Sequence, residues 1–237
     1  MNTGFEFWGG RKIASNAGGS YICGQVKQKP WVICLEKPYL NELSIDHRPK
    51  GIPYGPTGLR PDRSENFGFK NLKGELHRLA EIPELAEDPA LYGLVSKINQ
   101  PETGLLTIGC VSGPAINEDR GFRFSGYVEF AFNDADKIAD AADYFPVFFH
   151  FDRALHVDKF AEQVRFDWEL KPANFVEADT GGYTMTIIIN TAFHKTEATA
   201  RVAWNTALDW LGDFLSSVPP ESDDSRRLYP RRVVTAA

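Results

Sequence analysis

Between Phe122 and Phe132 the chain alternates with a period of two: Phe122, Phe124, Val128, Phe130 and Phe132 fall on one side, and Arg123, Ser125, Tyr127, Glu129 and Ala131 on the other. Successive side chains of a strand point to opposite faces, so this pattern predicts a strand with one buried and one wet side. A parallel strand covered on both faces would read as continuously apolar, so the alternation points to an antiparallel sheet. Val164, Phe166, Trp168 and Leu170 alternate in the same way with Arg165, Asp167, Glu169 and Lys171. The glycines of Asp179-Thr180-Gly181-Gly182 can adopt the positive φ of a tight turn, predicting a hairpin into Tyr183 to Phe193 with Met185, Ile187 and Ile189 inward. From Thr196 the period changes. Ala200, Ala203, Trp204, Ala207, Leu208, Leu211, Phe214 and Leu215 recur at helical spacing until Pro219-Pro220.

Weaker signals complete the layout. Ser20 to Val26 and Trp31 to Glu36 read as two strands, and Leu72, Leu76 and Leu79 as a short helix. Asp88-Pro89 supplies a cap and a first-turn proline for a helix burying Leu91, Leu94, Val95 and Ile98, and Leu105 to Val111 reads as a strand. Asn133 is placed to cap a helix with Ile138, Ala139, Ala142 and Phe145 inward and Asp136, Asp140 and Asp143 outward; residues 147–157 fit a strand or a helix equally. The order predicts three successive strand-strand-helix units, over 20–36 with 72–98, 104–132 with 134–157, and 164–193 with 196–217. The expected fold is therefore α+β, a mainly antiparallel sheet with amphipathic helices on one face. A single domain is expected over residues 1–220, interrupted by a long loop rich in proline and glycine at 38–71 and followed by a mobile C-terminal tail at 221–237.

Charge and composition narrow the function classes. The formal net charge is -6, and the acid excess lies wholly beyond residue 120. Such a surface repels a phosphate backbone, so nucleic acid is a poor partner and a basic protein a better one. No run approaches the ~18 apolar residues of a membrane span. Met1 to Arg11 lacks a basic stretch followed by an apolar one, and Cys23, Cys34 and Cys110 sit in strand-like apolar contexts. The expectation is a cytoplasmic protein with no membrane association.

Candidate chemistry is sparse. The sequence holds no P-loop, no Gly-x-Gly-x-x-Gly, no His-Glu-x-x-His, no Cys-x-x-Cys and no Gly-x-Ser-x-Gly. Asp167-Trp168-Glu169-Leu170-Lys171 puts two carboxylates and a lysine on one strand face, a set able to hold Mg²⁺ or Mn²⁺ and activate a water. Glu169-x-Lys171 resembles the second half of the PD-(D/E)xK nuclease signature, and the resemblance implies a further metal-binding acid, for which Glu129 or Asp158 would have to serve. An ordinary solvated strand face gives the same pattern. His150, Asp152, His156 and Asp158 form the densest histidine and carboxylate group, at a spacing that suits no helical metal pair. In the long loop, Asp46, His47, Arg48, Tyr54, Arg60 and Arg63 suit recognition of an anionic ligand or a partner surface, and the Asp136, Asp140, Asp143 stripe suits docking of a basic partner. Cys110 has no histidine beside it and reads as a buried thiol.

Three functions follow. The first is a non-catalytic binding protein needing no cofactor, of the immunity or inhibitor type, which recognises a protein partner. The second is a metal-dependent hydrolase or nuclease with Asp167, Glu169 and Lys171 as catalytic residues and Glu129, Asp167 and Glu169 as metal ligands. The third is a small-molecule binder with an aromatic cavity among Phe148, Phe149, Phe151 and Trp168.

Overall fold

In a computed structural model, which describes residues 38–54, 58–59, 65–66, 68–220 and 226–229, the alternating segments form one six-stranded sheet. The strands are β1 (Tyr39–Ile45), β2 (Lys50–Ile52), β5 (Leu105–Asn117), β6 (Gly121–Phe132), β7 (Val164–Phe175) and β8 (Thr180–Thr191); β3 (Gly58–Leu59) and β4 (Glu65–Asn66) make a separate short ladder. The order across the sheet is β1-β7-β8-β6-β5, with β2 also beside β7. Neighbours from β7 to β5 are antiparallel, as the alternation requires. β1 and β2 run parallel to β7, a mixed edge that the local pattern does not announce. Parallel pairing needs a long crossover, and the 111 residues between Ile52 and Val164 supply it.

The helices are α1 (Pro83–Ala86), α2 (Pro89–Ile98), α3 (Ala135–Ala139), α4 (Tyr144–Val157) and α5 (Glu197–Ser216). Phe124, Val128, Phe130, Phe166, Trp168, Leu170, Met185, Ile187 and Ile189 are all buried on the face that α4 and α5 cover. The coverage is crossed. α4 follows β6 yet lays Phe151 against Phe166 and Trp168 of β7, each at 5.1 Å between ring centres, whereas α5 follows β8 and stacks Trp204 on Phe124 of β6 at 6.1 Å. α4 also sets Tyr144 on Phe130 and Phe132 of its own hairpin, so each helix spans both hairpins and neither strand-strand-helix unit buries its apolar face alone. These two units correspond to the second and third expected ones; the strands expected at 20–36 lie outside the described residues, all of which belong to one compact unit, Lys37–Ala237.

Several local expectations are corrected. The short helix expected from Leu72, Leu76 and Leu79 is a 3₁₀ helix that begins only at Leu76 and runs to Glu81, and residues 147–157, open between strand and helix, belong to α4. Asn133 does not cap α3. Asp134 does, accepting from the backbone N–H of Asp136 and Lys137 at 2.9 Å, while the Asn133 amide holds the chain near the C-terminus: its Oδ1 accepts from Tyr229 N at 3.1 Å. Leu228 and Tyr229 are buried there, and Arg226 pairs with Asp136 at 3.0 Å, so this part of the expected mobile tail is docked. Asp140 accepts from Ala142 N at 2.8 Å and restarts the chain as a 3₁₀ turn. Asp136, Asp140 and Asp143 therefore do not form one helical stripe, because a carboxylate that bonds the backbone two residues on competes with continuing the helix.

Buried polar groups tie the elements together. Asp88 caps α2 through Oδ1, accepting from Ala90 N and Leu91 N at 3.1 Å, while Oδ2 accepts from Trp204 Nε1 of α5 at 2.7 Å and Ser112 Oγ of β5 at 2.6 Å. Lys73, only 9% exposed, donates to the carbonyls of Gln100 at 2.7 Å, Thr103 at 2.6 Å and Leu105 at 2.8 Å, closing the turn between α2 and β5. Among the described residues, no helix is long and apolar enough to cross a membrane.

Candidate functional site

Because Val164, Phe166, Trp168 and Leu170 are drawn into the core, Arg165, Asp167, Glu169 and Lys171 must project from the opposite face of β7. Register then decides their neighbours. Glu169 lies opposite Thr186 of β8, which lies opposite Glu129 of β6, and Asp167 lies opposite Ile188, which faces Tyr127. Glu129 and Glu169 are therefore two strand spacings apart, roughly 10 Å between backbones. Divalent cations need oxygen ligands at about 2.0–2.6 Å, a demand this spacing opposes.

The charges instead pair locally. Glu129, 5% exposed, takes the Lys50 ammonium at 2.5 Å and the Thr184 hydroxyl at 2.6 Å. Lys171 meets Glu169 at 2.8 Å and Asp46 at 3.7 Å, and Arg165 bridges Asp167 at 2.7 Å and Glu42 at 2.9 Å. Among the described residues, no three histidine, cysteine or carboxylate side chains gather as a cation site. Asp167, Glu169 and Lys171 are thus brought onto one face with Glu129, but as separate ion pairs. Asp158, at the C-terminal end of α4, belongs to the helix layer on the other side of the sheet.

The loop residues divide. Asp46 sits where the edge strand breaks between β1 and β2, its backbone N–H donating to Leu170 O at 2.9 Å. Its carboxylate grips the Arg48 guanidinium at 2.8 to 3.1 Å, and that hydrogen bond, with one from Arg48 N, holds the Asp46 carboxyl well below the usual range. His47 is exposed beside them. Tyr54 turns inward over the sheet edge, its hydroxyl donating to Ile108 O at 3.0 Å, so it packs rather than presents itself. Arg60 and Arg63 lie outside the described residues. On α4, His150 and His156 are exposed while Asp152 accepts from the Asn41 amide at 3.3 Å, so these side chains do not converge. The aromatic cavity is also corrected: Phe148 and Phe151 lie 5.7 and 5.1 Å from the Trp168 ring and fill that space themselves, and Phe149 is 61% exposed.

A narrow cleft opens at the β5 edge, lined by Tyr54, Leu72, Ile82, Glu84, Cys110 and Tyr127. Gly109 leaves room for the Tyr54 ring here, since a Cβ would come within 2.8 Å of its hydroxyl and make that side chain shift. Burial first, and then the Glu84 and Asp88 carboxylates, push the Cys110 thiol up to about 12. The thiolate is the nucleophile, so this cysteine is inert near neutral pH. Native Cys110 is expected to alkylate with iodoacetamide much more slowly than in urea, read by peptide mass mapping. A thiol that keeps its proton in the fold contributes stability below its ordinary value of 9.0, and this is lost as pH rises from there towards about 12.

What remains open is the part of the polar face carried by β1, β7 and β8. Leu40 is 45% and Ile188 36% exposed there, among Glu42, Ser44, Arg165, Asp167 and Glu169, which border a shallow depression. Leu40 and Ile188 were not among the expected site residues. Their only signal is an apolar side chain at a position that strand alternation assigns to solvent. No protein-family model, curated protein or solved structure matches this chain significantly.

Proposed function

We propose that this chain is a non-catalytic recognition protein of the immunity or inhibitor type, and that a protein partner docks on the open sheet face. The observation supporting it is the placement of Leu40 and Ile188 on a shallow, strand-borne surface rimmed by the Glu42–Arg165–Asp167 and Lys171–Glu169 ion pairs. Interfaces of this kind combine an apolar centre with a polar rim, and a sheet presents both without reorganisation. Asp46, His47 and Arg48 extend the rim beyond β1.

The test is capture of a native partner by the full chain, followed by titration against variants. Ile188→Lys, opposite Asp167, and Leu40→Asp, opposite Arg165, are expected to weaken the complex at least tenfold, about 1.4 kcal/mol, with melting temperatures little changed because each new charge faces one of opposite sign. Undiminished binding by both variants would overturn the assignment of this face. A titration heat with Mg²⁺ or Mn²⁺ that disappears in Glu169→Ala would instead favour a metal-dependent hydrolase.

A further inference from the structure

The turn joining β5 to β6 is held tightly. Asn117 Oδ1 accepts from the backbone N–H of Asp119 at 3.1 Å and Arg120 at 2.9 Å, and Gly121 follows at φ 97°. No other residue fits at 121, because a Cβ would stand 2.2 Å from the carbonyl oxygen of His194. Phe122 and His194 exchange two backbone hydrogen bonds, at 2.9 and 2.7 Å, which clamp the turn onto the chain between β8 and α5. Two cations are fixed as a result. The Arg120 and Arg123 guanidinium carbons lie 4.4 and 5.0 Å from the centre of the same ring, Phe193.

Arg48, Arg78, Arg165 and Arg201 each pair with a carboxylate. Among the described residues, Arg120 and Arg123 have no such partner. Arg123 Nε and His194 Nε2 are also shut off from water without a hydrogen-bond partner. Both guanidiniums lie within 5.0 Å of one ring centre, so they are at most ~10 Å apart, about one Debye length. Their mutual repulsion is relieved by an anion that both can reach. Stacking on a ring leaves the N–H edge of a guanidinium free for bidentate contact with a carboxylate. Exposed Lys195 adds to the positive end, while Glu118 and Asp119 in the turn and Glu197, paired with Arg201, are the nearby acids in sequence.

We propose that the Arg120–Phe193–Arg123 cluster is a docking site for an acidic segment of a protein, whose carboxylates bind the two guanidinium edges. This assignment goes beyond the open sheet face and holds whatever that face binds. The local complementarity of two arginines without a carboxylate partner, and not the overall charge of -6, selects the ligand, and arginine and aromatic side chains together are characteristic of the residues that carry protein interfaces.

A fluorescent Asp/Glu-rich peptide, followed by anisotropy with the full chain, tests it. The peptide is expected to bind at low ionic strength and more weakly at high salt. Arg120→Ala and Arg123→Ala should each weaken it at least tenfold, and Arg120→Lys, which keeps the charge but not the stacked fork, several-fold. Arg153→Ala, at an exposed position of α4, should leave it unchanged. Arg120 stands on the turn outside the core, so its variants are expected to keep the wild-type circular dichroism spectrum. The proposal is overturned if the wild-type chain does not bind the peptide, if both alanine variants bind it as well as wild type, or if a single-stranded oligonucleotide of equal charge binds as tightly.

Discussion

Replacing Lys73 by methionine is expected to lower the unfolding free energy by about 3–5 kcal/mol, the cost of removing one partner from a buried charged network. The ammonium has three N–H donors, and they are shared among Gln100 O, Thr103 O, Thr103 Oγ1 and Leu105 O, with Ile98 O at the limit of 3.5 Å. Methionine matches the volume of the stem but supplies no donor. The carbonyls that turn the chain from α2 into β5 then lose their partner while still enclosed. Urea denaturation should show the midpoint falling with an unchanged slope. Lys73→Arg is expected to recover little, since a flat fork cannot serve acceptors arranged around a point charge. A loss below about 1 kcal/mol for Lys73→Met would mean that water reaches this turn.

Asp88→Ala is the second large effect, expected at about 2–4 kcal/mol. Losing an N-cap costs typically ~1 kcal/mol, and leaving the buried Trp204 indole N–H without an acceptor adds about 1–3 kcal/mol. Both losses occur in one substitution because the two carboxylate oxygens do separate work, Oδ1 on the α2 terminus and Oδ2 on Trp204 and Ser112. Asp88→Asn separates them. An amide has a single acceptor oxygen, so either the cap or the indole bond survives, and an intermediate loss of about 1–2 kcal/mol is expected. Trp204→Phe in the Asp88→Ala background should then cost less than Trp204→Phe alone, a coupling that a double-mutant cycle measures directly.

The same two residues show how much was legible beforehand. Asp88-Pro89 reads as a helix start because a cap acts on the next three residues, and α2 begins there. Its bond to Trp204, 116 positions away, has no local signature. Lys73 has none either, being one lysine between Leu72 and Gly74 whose acceptors are backbone carbonyls that every residue carries. The candidate carboxylates divide in the same way. Alternation placed Asp167, Glu169 and Lys171 on one face correctly, yet whether they meet a third acid depends on Glu129 lying two strands away and on Lys50, from the parallel edge, reaching it first. The acidic stripe of Asp136, Asp140 and Asp143 failed for a local reason: a helical wheel takes no account of a cap in the middle of the segment.

Periodicity is a property of neighbouring residues, because the pleat and the helical turn are set by bonds along the chain. The greasy sides of β6 and β7, the presence of a hairpin into β8 and the long α5 could therefore be read from the chain alone, although the positive φ of that turn belongs to Asp179, at 46°, while Gly181 and Gly182 lie within β8. Which strand lies beside which, which hairpin each helix covers, and which charges find one another depend on contacts between segments far apart in the chain. Those contacts are settled by how the apolar faces pack together, and only folding sets Leu40 and Ile188 into one open face and Arg120 and Arg123 around one ring.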